Sequence, residues 1–406
     1  MIERYHIYCH IPFCKKRCPY CYFTAKFSEE EMINLDAMDE YVKAMKADIE
    51  KADFPDAVVT SIVCGGGTPS LLNERQLDTI IDAIRSKLPP DRFNGMEFMA
   101  YEVSPDTASE ATLITFRNKG FNRVSIGAQS FVDEELKLLG RPYTREMIVK
   151  AAELVRKVNY DMLNIDLLIG IPGQTHDSVI QSIKDTVTIK PEHISVSLFY
   201  SSYPGGKEFV QKCEKRGKLI PYLSDKIQIY EDVCRILMDN GYVRVDNTVF
   251  SLPDYVFPYE KDAISETEPV LAFGPGSAGY WDNNRVRFTP PYINKYIEAP
   301  ASVEEEITVD NYAFTIVWGH LNAYGKIEEN VLEEKLGFNF EEVMRLEKDV
   351  NILLSVLIQE NLVFRQDSAY ILRPETLNRA IVLMHYIRDG WGYKLITAPE
   401  QTLNLN

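Results

Sequence analysis

Tyr8-Cys9-His10-Ile11-Pro12-Phe13-Cys14-Lys15-Lys16-Arg17-Cys18-Pro19-Tyr20-Cys21 is the stretch on which the fold turns. His6–Ile11 reads as a β-strand, Pro12 ends it, and three cysteines follow at the spacing C-x3-C-x2-C. Thiolates from one short loop can hold three corners of a cubane 4Fe–4S cluster, leaving the fourth iron open to a small ligand. A zinc knuckle would need a fourth ligand, usually a second C-x2-C pair downstream, and the sequence has none. Cys14, Cys18 and Cys21 are therefore the expected metal ligands. Cys9 alternates with the strand and reads as core, as do Cys64, Cys213 and Cys234. Seven cysteines in 406 residues, four of them within Cys9–Cys21, make no disulfide framework. The first residues lack a basic region followed by an apolar run, so no signal peptide is expected and a reducing cytoplasm is the expected compartment.

Working outward, residues 6–200 alternate short apolar runs with helix-period segments. Strands are expected at His6–Ile11, Val58–Val63, Met96–Val103, Arg123–Ala128, Met162–Ile169 and His193–Phe199. Helices are expected between them at about 36–51, 74–87, 106–119, 132–157 and 177–188. Met147, Ala151, Leu154, Val155 and Val158, for example, share one helical face. This α/β alternation predicts a parallel sheet covered by helices, a partial (β/α)6 TIM-like barrel spanning residues 1–245. Residues 246–302, rich in Pro, Tyr and Phe, read as a lid or pocket wall. Residues 303–406 read as a helical, winged-helix-like domain, with helices at 308–323 and 341–360 and a hairpin at Leu362–Leu372.

Charge narrows the function classes. The chain carries 60 acidic and 44 basic side chains, net −16, and residues 301–406 hold 17 acidic against 9 basic. Such a surface repels phosphate backbones, so no nucleic-acid partner is expected, even for a winged-helix-like tail. No run of about 18 apolar residues exists, and no membrane partner is expected.

Further motifs lie at the ends of the expected strands. Cys64-Gly65-Gly66-Gly67-Thr68-Pro69 follows β character, and its glycines permit close backbone approach and present N–H groups to an anion. Glu102, Gln129 and Asp166 sit at or near strand ends, the active face of a βα sheet, and Arg141 follows in a loop. Gly170-Ile171-Pro172-Gly173-Gln174-Thr175 opens the next helix.

These motifs resemble radical S-adenosylmethionine (SAM) enzymes of the oxygen-independent coproporphyrinogen III oxidase type. The resemblance covers residues 5–245 well and the tail loosely. It implies a 4Fe–4S cluster on Cys14, Cys18 and Cys21, whose open iron chelates SAM and whose electron cleaves it to a 5′-deoxyadenosyl radical. It implies SAM contacts from Gly65, Gly66, Gly67, Thr68, Glu102, Gln129, Arg141, Asp166, Gly170, Pro172 and Gln174. Tyr20 and Phe23 would shield the cluster, with Phe23 counted among the cofactor contacts, and Asp166, Glu102 and Tyr8 would serve the chemistry. An electron donor such as flavodoxin or ferredoxin is implied, with a small-molecule substrate, aromatic or tetrapyrrole. Tyr200, Tyr203, Tyr255, Tyr259 and Tyr280 offer flat surfaces for it. Porphyrinogen decarboxylases of the family carry a longer amino-terminal extension than the residues before Tyr8 here. Haem-chaperone members carry an H-N-x-x-Y-W segment, whereas Ala272–Trp281 holds no histidine. The resemblance therefore points to the class C methyltransferase and cyclopropanase-like branch. A second SAM would there deliver a methyl or methylene carbon to an unsaturated or heteroaromatic substrate. Tetrapyrrole chemistry and a non-enzymatic haem chaperone are the alternatives.

Overall fold

The computed structural model describes residues 2–21, 27–265, 267–282 and 285–402. Six parallel strands follow one another in chain order: β1 (Arg4–Ile11), β2 (Val58–Gly66), β3 (Phe98–Val103), β4 (Arg123–Gln129), β5 (Met162–Ile169) and β6 (His193–Leu198). The crossover helices Met38–Lys51, Glu74–Lys87, Glu110–Asn118, Arg145–Lys157 and His176–Ile189 bury their apolar stripes on the sheet. The mixed α/β fold with a parallel sheet is thus the expected one. Strand ends fall within a few residues of their expected positions because period-two alternation and β-branched runs mark them clearly.

Three elements differ from expectation. The helix expected over 132–157 is two, Asp133–Leu138 and Arg145–Lys157, separated by Gly140 in a left-handed conformation (φ +72°) and Pro142. The 246–302 segment is built into the sheet as well as beside it. β8 (Val249–Ser251), with β7 (Val243–Arg244) just before the segment, extends the sheet beyond β6 through antiparallel pairs, and β9 (Val270–Phe273) pairs parallel with β1 at the other edge. Phe257 from the same segment packs on Val63, Phe98, Ala100 and Met162, the face of the sheet away from the helices. Short strands interrupted by Pro and Gly carry too little alternation to show in sequence. The long terminal helix Leu377–Thr402 was likewise not expected, since Gly390, Gly392 and Pro399 interrupt its pattern.

A second sheet, β10 (Ala278–Asp282), β11 (Arg285–Phe288) and β12 (Val303–Glu306), joins the helix Val309–Tyr324 and the tail. There β14 (Val363–Gln366) and β15 (Ala369–Leu372) form a hairpin that β13 (Lys326–Glu328) extends. Asp367 and Ser368 at its tip both have positive φ, as a tight two-residue hairpin turn requires. The tail has its own apolar core around Phe314, Val317, Leu321, Val343, Leu353 and Leu357.

The second sheet is tied to the barrel by one buried carboxylate. Asp48 on the helix Met38–Lys51 accepts from Arg287 (2.9 Å), Tyr296 (3.0 Å) and Ser302 (3.0 Å). Breaking a buried pair leaves an uncompensated charge, so Asp48→Ala should cost about 3 kcal/mol. Urea unfolding checks this, and an unchanged midpoint would show that Glu304, 3.2 Å from Arg287, suffices alone.

Candidate active site at the carboxyl ends of the strands

Alternation along the parallel strands places Tyr8, Gly65, Glu102, Gly127 and Asp166 on the sheet face opposite the helices, near the strand ends. The cysteine loop leaves the end of β1 and is stitched to the end of β2. Gly67 N donates to Ile11 O (2.9 Å) and Thr68 N to Phe13 O (2.8 Å). A Cβ on Gly67 would stand 2.6 Å from both acceptors, so only glycine permits this approach. The Thr68 hydroxyl donates to Cys14 Sγ at 3.4 Å. Gly66, at φ +105°, donates its N–H to Glu102 Oε2 at 3.1 Å, and a Cβ on Gly65 would lie 2.8 Å from Glu102 Oε1. Tyr8, Gly65, Gly66, Gly67, Thr68 and Glu102 are thus one cluster above β1–β3.

Asp166 is held from two sides. Ser125 Oγ donates to one of its oxygens (2.6 Å) and Asn164 Nδ2 to the other (2.7 Å). Gln129 ends β4 in a left-handed conformation (φ +66°) at a register shift, with its side chain turned back toward Gly127. Arg141, half-buried, hydrogen-bonds the Tyr20 hydroxyl and lies 5.4 Å from the Tyr20 ring centre and 5.8 Å from that of Tyr143. Arg141 therefore stands beside the cysteine loop itself.

One expected contact has its side chain engaged elsewhere. The Gln174 side chain is committed to its own turn: it accepts from Gly170 N (2.6 Å) and donates to Leu168 O and Glu135, both at 3.1 Å. It braces Gly170 (φ +87°), the buried Pro172 and Gly173 (φ +79°) and has no donor left over for a cofactor. Phe23 lies outside the described residues.

Cys14, Cys18 and Cys21 are free, half-buried thiols, whereas Cys9, Cys64, Cys213 and Cys234 are buried. Burial pushes the Cys14 thiol up to about 12, against a smaller pull from the Thr68 hydroxyl, and also raises Cys18, partly offset by Arg141. Thiols that burial keeps from ionising, in one loop beside a guanidinium, suit a metal centre whose charge stabilises the thiolates. The donor set fits a three-cysteine cluster.

His10 is the residue that sequence reasoning missed. Its Nδ1 lies 3.0 Å from the Tyr8 hydroxyl, and its Nε2 is buried without a hydrogen-bond partner. Burial lowers its pKa to about 4, so it is neutral. A Cβ on Gly66 would stand 2.6 and 2.7 Å from its ring nitrogens, and one on Gly276 3.7 Å from Nε2. Ala272–Trp281 contains no histidine, but His10 faces that turn in space. Its signal was available, because it alternates in step with Tyr8 along β1. His193, by contrast, lies buried at the amino end of β6, bonded to Arg123 (3.1 Å), in a packing role.

Among the described residues no helix is long and apolar enough to cross a membrane. Residues 8–186 match the radical SAM superfamily. The chain is 29% identical over 296 residues to the heme chaperone HemW of Bacillus subtilis (strain 168), covering 72% of this chain and 74% of that protein. It is 28% identical over 267 residues to oxygen-independent coproporphyrinogen III oxidase of Escherichia coli (strain K12), covering 65% of this chain and 55% of that one. The structure superposes on coproporphyrinogen III oxidase (HemN) from Escherichia coli with a TM-score of 0.74, over 95% of this chain and 89% of that chain. At 22% identity this last likeness shows the fold. The cofactors that follow are a 4Fe–4S cluster and SAM. The cysteine spacing, the glycine turn at β2 and the match over residues 8–186 together identify a radical SAM domain in this chain, which is similar to proteins of the coproporphyrinogen III oxidase and heme chaperone type.

Proposed function

We propose that this chain is a radical SAM enzyme acting on a tetrapyrrole, with Cys14, Cys18 and Cys21 as cluster ligands. The carrying observation is the cluster of Tyr8, the Gly65–Gly67 turn and Glu102 against the cysteine loop, in a chain whose relatives include heme chaperones and coproporphyrinogen oxidases. When bound, the reduced cluster supplies the electron that breaks the sulfonium bond of SAM, giving methionine and a 5′-deoxyadenosyl radical that abstracts a hydrogen atom from the substrate.

The protein's part is positioning and shielding. Glu102, which accepts the Gly66 N–H, sets its carboxylate beside the glycine turn, where it suits the ammonium of SAM. Backbone N–H groups around Gly65–Thr68 suit the carboxylate end. Ser125 and Asn164 fix the Asp166 carboxylate, which suits a ribose hydroxyl. Arg141 adds positive charge beside the cysteine loop, and the Gly170–Gly173 turn offers backbone rather than the Gln174 side chain to the adenine. Neutral His10, hydrogen-bonded to Tyr8 through Nδ1, turns Nε2 toward the Gly276 turn, where in the tautomer with its proton on Nδ1 it can accept a hydrogen bond. Tyr20, Phe199 and Phe209, packed under the loop, exclude water that would quench a radical.

A second reading keeps two SAM molecules and methyl or methylene transfer to an unsaturated carbon. Its support is that two glycine-rich turns, Gly65–Gly67 and Gly274–Gly276, meet at His10. Anaerobic incubation of reduced protein with SAM and haem or coproporphyrinogen, read by mass spectrometry, separates these readings. 5′-Deoxyadenosine formed in step with an altered tetrapyrrole is the expected result. S-Adenosylhomocysteine in equal amount would instead favour alkyl transfer, and neither nucleoside would favour a carrier. Asp166→Asn should lower SAM cleavage about tenfold or more while leaving the cluster spectrum intact, since an amide is a weaker acceptor and disturbs the bonds from Ser125 and Asn164. Unchanged cleavage would remove Asp166 from the site.

A further inference from the structure

We infer that the exposed side of the helix Pro204–Glu214 together with the basic chain after it, Lys215 to Tyr222, is the docking surface for an acidic one-electron carrier protein. The inference rests on radical SAM membership, which requires that an electron reach the cysteine loop from outside. In a chain of net charge −16, residues 204–218 carry Lys207, Lys212, Lys215, Arg216 and Lys218 against Glu208 and Glu214 only. Lys207, Lys212, Lys215, Arg216 and Lys218 are all exposed, and among the described residues no ion pair occupies any of them. The cysteine loop adds exposed Lys15 and Lys16, Lys15 pairing with Asp106 at 3.3 Å.

The opposite face of the same helix is packed directly on the cysteine loop. Phe209, Val210 and Cys213 share a buried cluster with Tyr20, and Cys18 packs against it. Gly205 approaches so closely that a Cβ there would lie 3.1 Å from Cys21 O. A partner on the outer face would therefore be separated from the thiols by about one helix diameter, some 10–12 Å.

The patch also has an apolar centre. Leu219 is 62% exposed and Tyr222 77%, the most exposed large hydrophobic side chains among the described residues. Apolar and aromatic anchors within a charged rim are the anatomy of a specific, transient protein interface. Positive charge that gathers at this face of an acidic protein steers a negatively charged partner and raises its association rate.

The test uses photoreduced flavodoxin as the acidic donor and dithionite as a small-molecule control, each driving 5′-deoxyadenosine formation by the reconstituted protein. With flavodoxin, the double variant Lys212→Glu, Lys215→Glu should be slower by about tenfold at low salt. The rate of the unaltered protein should fall as ionic strength rises, and Tyr222→Ala should also be slower. With dithionite all of these should match the unaltered protein. The same charge change at Lys150 and Lys184, on other helices, should leave both rates unchanged. Equal flavodoxin-driven rates in the Lys212/Lys215 variant and the unaltered protein would overturn the docking surface. A parallel loss with dithionite would overturn it too, because the lysines would then act on the fold or the site and not on delivery. Absence of 5′-deoxyadenosine from the unaltered protein with dithionite would instead strike the enzymatic reading of the site.

Discussion

Replacing any one of Cys14, Cys18 or Cys21 with alanine is expected to remove the cluster and, with it, all SAM cleavage above background. A loop with two thiolates cannot hold three corners of a cubane, and the buried Cys9 and Cys64 are not placed to substitute. Cys9 and Cys64 face each other in the β1–β2 register, fully buried in the helix-facing core. The loss should exceed the roughly 10–100-fold typical of removing an outer partner of a metal ligand. Iron content and absorbance of the anaerobically reconstituted protein measure it, with circular dichroism to show that the fold persists. A Cys18→Ala protein that kept its iron and still formed 5′-deoxyadenosine would end the proposal for this site.

Gly66→Ala should be nearly as damaging by a different route. Gly66 sits at φ +105°, which L side chains rarely adopt, and a methyl group would collide with the His10 ring. Neither the ring nor the backbone has slack, because His10 is buried and its carbonyl accepts from the Tyr41 hydroxyl. The expected result is a retained cluster spectrum with SAM cleavage reduced on the order of a hundredfold, since a displacement near 1 Å at a reacting site costs about that much. Cleavage at the unaltered rate would show that the β2 turn is structural and that Glu102 does not rely on the Gly66 N–H for its position. Gly241→Ala is a useful control: its φ is also positive (+87°), but a Cβ there meets nothing within 4 Å.

Much of the site was legible in the chain because its chemistry is local in sequence. Three thiols in one loop declare their partnership by spacing, and three consecutive glycines declare a turn. Period-two alternation places Glu102 and Asp166 on a common sheet face once the strands are located. His10 was legible by the same rule, lying two residues beyond Tyr8. It escaped because its importance comes from what surrounds it: the ring fits only where Gly66 lacks a side chain, and it packs against the turn at Gly276. Gln174 shows the opposite limit. Its motif suggested a cofactor contact, yet the side chain is used by Gly170 N, Leu168 O and Glu135, partners that no spacing reveals.

Segment 246–302 shows the same boundary at the level of the fold. Its composition suggested a wall, while its strands β8 and β9 join opposite edges of one sheet. What the sequence by itself determined is the order of parallel strands and helices, the cysteine ligand set and the glycine turns, because hydrophobic period and residue spacing act within a few residues. Only the tertiary structure decided which buried polar side chains were already satisfied, which faced the site, and which strands closed the edges. Those outcomes depend on hydrogen bonds and packing between residues far apart in the chain, such as Asp48 with Arg287 and His10 with Gly276.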